Sequence, residues 1–251
     1  MLIPPDPMQN IDFLYDTDND YGVPALKPYM QAPALYLPVE AWGSIPRSRF
    51  MPGTYVLYIY DDFINPLWRD PWKLRVSSCN AITEANFTIT KDTPWAVALY
   101  QIYRKRWLSR FWADSLGCRI FVDLNVPPNF MDMALLGVPK AWGAFCTRGN
   151  TDMIDITEVQ FRAAEDHTGL KFKDGGMVGM VYGGGKRLRE FCKTNGLIYV
   201  EQYINKSNGK AGYLLDVESP DPSLLEEGRI KLKRRQTEGL GLLNLHQEGG
   251  N

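Results

Sequence analysis

The chain has little of the chemistry that usually marks an enzyme. Its 251 residues contain two histidines, His167 and His246, which stand isolated in sequence. Paired-histidine nickases, H-E-x-x-H metalloproteases and zinc deaminases need histidines at fixed spacing, so all three classes lack support, as does a histidine-based hydrolase. Neither a G-x-S-x-G elbow nor a G-x-G-x-x-G fingerprint occurs, which removes the commonest hydrolase and dinucleotide-binding classes of α/β enzyme. The four cysteines, Cys79, Cys118, Cys146 and Cys192, form no C-x-x-C pair. They fit reduced core thiols in a cytoplasm better than a disulfide framework or a structural zinc site. No apolar run reaches the ~18 residues that would span a bilayer. The opening MLIPPDPMQNIDF lacks the basic-then-apolar order of a signal peptide, so a cytoplasmic location with no membrane partner is expected. Charge of one sign is also missing: 28 Lys and Arg oppose 29 Asp and Glu, a net of -1. Contact with nucleic acid would therefore depend on local basic patches.

What is present is apolar and periodic. A chain that is 45% hydrophobic and 12% aromatic can bury a sizeable core in one large domain. Residues 1–52 are rich in proline and acids, with DTDNDYG at 16–22, and read as an irregular arm or cap. Residues 53–218 read as an α/β core and 219–251 as a tail with a basic run from Lys231 to Arg235, a candidate phosphate anchor or simply solvated. Within the core, strands are expected over Tyr55–Tyr60, Ala81–Ile89, Arg119–Val126, Ala144–Thr147, Met177–Tyr182 and Leu197–Gln202. The spacing predicts helices near 129–137 and over Asp155–Asp166 and Lys186–Thr194, and a turn with a short helix or loop over 65–76. The strongest pattern is a helix from an Asp92-Thr93-Pro94 cap signal to a stop at Gly117. There Trp95, Leu99, Ile102, Tyr103, Trp107 and Phe111 form an apolar stripe, with cations around the remainder. Five or six strand-and-helix units favour a mostly parallel sheet, as a partial or irregular (β/α) barrel slightly better than an open doubly wound sheet.

Four stretches, YVLYIYDDFINPLWRDPWK, FTITKDTPWAVALYQIYRKRWLSRFWADSLGCRIFVDLN, VPKAWGAFCTRGN and MVYGGGK, together resemble the bacterial and phage domain-of-unknown-function family 4417. The similarity covers about residues 54–186. It implies a phage or other mobile-element origin, hence the cytoplasm of a bacterial host, and supplies no reaction. Where that family tends to have Pro-Asp-Phe-Ser, this chain reads Glu84-Ala85-Asn86-Phe87-Thr88, so an acidic position is replaced by Asn86.

Ligand groups in a parallel α/β fold gather at the carboxyl ends of the strands. Asp61, Asp62, Asp123 and Glu201 all fall late in or just after expected strands, with Asn125 beside Asp123. They are candidate catalytic acids, and Asp61, Asp62 and Asp123 candidate ligands for Mg or Mn, which would activate water or steady a phosphate. The bland reading is that they cap helices or pair with arginines. Gly183, Gly184, Gly185, Lys186 and Arg187 form a candidate phosphate-binding turn. It is not a P-loop, because Met180 stands where the first glycine belongs and Arg187 follows the lysine. Arg104, Lys105, Arg106 and Arg110, with Trp107 and Trp112, either track a nucleic-acid backbone or solvate the outside of a buried helix. Two functions remain open: an enzyme on nucleic acid or a nucleotide, a metal-dependent phosphate-ester hydrolase linked to replication, and a non-catalytic DNA-binding or replication-accessory scaffold.

Overall fold

The computed structural model describes residues 14–43, 52–202 and 217–228. An eight-stranded sheet runs β2 (Val39–Ala41), β3 (Thr54–Val56), β4 (Ala81–Thr83), β5 (Arg119–Asp123), β6 (Ala144–Arg148), β7 (Val178–Tyr182), β8 (Ile198–Val200) and β9 (Val217–Glu218). Every neighbouring pair is parallel except β8 and β9. A doubly wound sheet reverses its strand order near the middle, whereas here each strand lies beside its sequence neighbours. The sheet curls into a half-barrel. A separate parallel pair, β1 (Leu35–Leu37) and β10 (Leu225–Glu227), brings the two ends of the described chain together.

Side chains alternate across the sheet, and the two parities form two cores. Val39, Ala41, Val56, Ala81, Phe121, Ala144, Cys146, Val178, Met180, Ile198 and Val200 pack on one face, joined by Tyr58 and Tyr182 near the strand ends. Tyr55, Ile82, Ile120, Val122, Phe145, Val181 and Tyr199 pack on the other, against the helices. Those helices are α1 (Asp61–Arg69), α2 (Trp95–Leu116), α3 (Met131–Ala134), α4 (Ile154–Thr168) and α5 (Gly185–Thr194). Burial on both faces explains the near-continuous apolar runs of the central strands.

Several local expectations change. Regular pairing after Gly53 ends at Val56, and Asp61 and Asp62 open α1 as its first-turn acids instead of closing a strand. Acids there suit the positive end of the helix dipole. The proline-rich arm is not wholly irregular, since residues 35–37 and 39–41 form strands and the second belongs to the main sheet. Helix α2 does end at Gly117, whose φ of 67° suits a residue without Cβ. It begins after Pro94 with no side-chain cap, and Trp95 is 50% exposed, against the ring of Tyr21. The tail segment Lys231–Arg235 and His246 lie outside the described residues. No helix of the described chain is long and apolar enough to cross a membrane.

Candidate functional site

The carboxyl ends of the parallel strands form the mouth of the half-barrel. Two cavities open there and share Arg148 and Gln202 as a common wall. The larger, of about 660 Å³, lies over the ends of β6 and β7, between Asn125, Asn150, Gln160 and the Gly184-Gly185 turn. The smaller, of about 440 Å³, is lined by Trp42, Tyr58, Tyr60, Phe63, Asn86 and Thr88, among others. The Asn125 amide donates to Asn86 Oδ1 at 3.0 Å, linking a wall of one cavity to a wall of the other. Asn86 and Asn125 are therefore both part of the mouth.

Beneath the mouth lies a closed polar network. Asp123 is 1% exposed and accepts from the Tyr58 hydroxyl at 3.1 Å, the Asn125 N–H at 2.9 Å and the Lys105 ammonium at 3.3 Å. Lys105 also donates to the Asp123 carbonyl at 2.8 Å. Burial, with the charge of Asp123 beside it, pushes the Tyr58 hydroxyl and the Cys146 thiol well above their usual ranges. Neither supplies a nucleophile near neutral pH. Glu84, fully buried, accepts from Arg106 at 2.6 Å and from the Asp123 N–H at 3.0 Å. Arg106 also donates to the Leu136 and Ala134 carbonyls, at 3.1 and 2.7 Å.

This arrangement changes the reading of α2. Lys105, Arg106 and Arg110 are 2%, 0% and 9% exposed, so the expected basic face is not a surface. Arg110 pairs with Asp114 at 2.7 Å and Asp16 at 3.0 Å. Arg104 lies 3.7 Å over the Phe87 ring and bonds Gln101 and Asn65. The helix is packed on nearly all sides along its second half, and each of these cations is committed to an internal acceptor or ring.

The candidate acids do not converge. Asp61 accepts from the Thr88 N–H at 3.2 Å and its hydroxyl at 3.0 Å, which ties the loop after β4 to the start of α1. Asp62 is exposed. Glu201 accepts from Arg189 and from the Tyr199 hydroxyl, both at 3.0 Å. Among the described residues, no three His, Cys, Asp or Glu side chains come together so as to hold a metal ion. Asp123 already accepts from a lysine, a tyrosine and a backbone N–H, and lies buried beneath the mouth.

The glycine turn falls where the sequence placed it. Gly183, Gly184 and Gly185 have φ of 81°, 97° and 73°, all in the left-handed region. Its backbone is partly spent, because the Gly183 N–H donates to Val200 and the Gly185 N–H to the Tyr199 hydroxyl at 3.1 Å. Burial and the Glu201 carboxylate raise that hydroxyl to about 12. Gly184 packs so closely on Leu188 and Gly149 that a Cβ has no room. Lys186 and Arg187 stand exposed just beyond. Sequence reasoning missed Arg148 and Gln202. The strand-end rule that selected Asp123 applies to both, since each follows the inward parity of its strand.

The model of the domain of unknown function DUF4417 matches residues 15–160, more than half of the chain. The gene 1 protein of Mycobacterium phage D29 is 27% identical over 138 residues, 52% of this chain and 49% of that protein. The gene 1 protein of Mycobacterium phage L5 is 28% identical over 137 residues, 52% of this chain and 58% of that protein. The chain thus spans about half the length of the curated relatives it matches. No solved structure matches it. The family segment carries Tyr58, Asn86, Asn125 and Arg148, while Tyr182, the glycine turn and Gln202 lie beyond it.

Proposed function

The chain belongs to the DUF4417 family, with phage proteins among its relatives, and from that premise we propose a binding protein whose mouth takes a nucleotide or nucleic-acid strand by its phosphate, in the cytoplasm of a bacterial host. The observation that carries this reading is Arg148. Its side chain is exposed at the wall common to both cavities and has no ion pair among the described residues, unlike the buried cations of α2. An unengaged guanidinium suits a phosphate, which it can grip with two parallel N–H bonds. Tyr60 and Phe63, 82% and 58% exposed on the smaller cavity, offer faces on which a base can stack. The amides of Asn86, Asn125 and Gln202 offer donors and acceptors for base edges or sugar hydroxyls.

Binding is favoured over metal-dependent hydrolysis because the buried acids already serve Lys105 and Arg106 and Asp61 serves Thr88. Thermal unfolding with single-stranded DNA, duplex DNA and a nucleotide panel, each with and without magnesium or manganese, tests the reading, since a ligand of the native state must raise its stability. A shift with one of these ligands, lost in Arg148→Ala, is expected. Absence of any shift would remove the proposal. A shift that needs metal and disappears in Asp61→Ala or Asp62→Ala would replace it with the hydrolase.

A further inference from the structure

At the end of the half-barrel opposite the mouth, two thiols meet. Cys79 and Cys118 lie just before β4 and β5, whose register pairs Ala81 with Arg119, and the Arg119 N–H donates to the Asn80 carbonyl at 2.9 Å. Adjacent parallel strands therefore bring the two residues side by side. Their sulfur atoms stand 2.8 Å apart, and neither is in a disulfide. Sulfurs on one tetrahedral zinc, each at about 2.3 Å from the metal, would sit about 3.8 Å apart, wider than this contact, and among the described residues no third His, Cys, Asp or Glu joins the pair to hold a metal ion. The pair also forms part of the wall of a cavity of about 200 Å³ with Arg75 and Ser115, and each cysteine keeps 4% exposure. Cys146 and Cys192, by contrast, are 0% exposed.

We infer that Cys79 and Cys118 are a redox modification site that closes to an intramolecular disulfide when a peroxide reaches it. One thiolate attacks the peroxide O–O bond, giving a sulfenic acid and releasing one water after proton transfer. The second thiol then displaces the sulfenic oxygen as a second water, leaving the S–S bond. Two thiols and one peroxide become one disulfide and two waters, with the two electrons passing from sulfur to the peroxide oxygens. The bond joins the amino-terminal ends of β4 and β5 across the 22-residue helix α2 and touches nothing at the mouth. It is independent of the proposed ligand.

The test exposes the reduced full-length chain to hydrogen peroxide, then traps remaining thiols in denaturant with an alkylating agent. The expected result is two alkylated cysteines instead of four, a mass lower by about 2 Da before alkylation, and a peptide joining Cys79 to Cys118 that dithiothreitol separates. Cys79→Ser and Cys118→Ser each abolish the linked peptide. The wild-type peptide map decides the matter even where a variant fails to fold. Four alkylated thiols, oxygen added to single cysteines, a bond involving Cys146 or Cys192, or a disulfide-linked dimer would each overturn the assignment.

Discussion

Replacing Arg106 with methionine should cost stability without touching ligand binding. The guanidinium is fully buried and satisfies three acceptors, Glu84 Oε1 and the carbonyls of Leu136 and Ala134. A hydrogen bond to a charged group contributes roughly 1.5–3 kcal/mol and each carbonyl bond about 1 kcal/mol. Their loss also leaves Glu84 as a buried, uncompensated carboxylate. The sum, about 4 kcal/mol, agrees with the ~3–5 kcal/mol typical of breaking one side of a buried pair. For a chain of this length that corresponds to a melting temperature lower by on the order of 10 °C. Urea unfolding followed by tryptophan fluorescence measures it, with the midpoint falling and the slope unchanged. Because Glu84→Gln removes the stranded charge, the double variant Arg106→Met/Glu84→Gln should recover part of the loss and reveal a coupling of about 2 kcal/mol. A single-variant loss below about 1 kcal/mol, or weakened binding of nucleic acid at unchanged stability, would refute the burial argument and restore α2 as a basic surface.

Other expectations follow from the same geometry. The His167 Nε2 sits 2.8 Å from the Val138 carbonyl and Nδ1 3.2 Å from the Lys140 ammonium, a pattern that fits the neutral ring. Burial first, with Lys140 adding to it, lowers its pKa below the ordinary 6.5. The unfolded chain then takes up the proton first as pH falls, so the contribution is whole above pH 6.5 and shrinks as pH drops through the lowered folded value; His167→Asn should flatten that part of a stability-versus-pH curve. Gly149→Ala should destabilise by roughly 1–3 kcal/mol, because a Cβ there meets the Gly183 carbonyl and, at 2.9 Å, Leu188 and Val181. Differential scanning calorimetry would check it, and an unchanged melting temperature would argue against the close packing of the turn. The peroxide-treated chain should melt higher, as a cross-link between residues 39 apart is worth about 4 kcal/mol by chain entropy.

The sequence made the parallel strand-and-helix order legible because each strand is an apolar run bounded by turn residues, and because α2 carries a long aromatic repeat ended by Gly117. The half-barrel, the glycine turn and the buried thiols were readable on the same grounds. The fate of the charges was not. Arg106 and Glu84 are 22 residues apart, and only the packed fold shows that each cancels the other in the core. Lys105 and Asp123 repeat the lesson across 18 residues. Asp61 and Asp62 were placed at a strand end because YVLYIY looks like one long strand, yet pairing with β4 stops near Tyr55 and Ile82 and the chain turns into α1. Residues 39–41 were hidden by the prolines on either side, which suit an edge strand as well as a loop.

The order of the strands has a bearing on how the chain reaches this form. From β2 to β8 every ladder joins segments that follow one another in sequence, so each new strand finds its neighbour already made as the chain lengthens. Contacts of that kind close short loops and cost little entropy, and they let the half-barrel grow from one side during synthesis. The pairing of Leu35 with Leu225 is the exception. It waits for almost the whole described chain, and it is the step at which an unfinished molecule would still present the free edges of β1 and β10 to other chains.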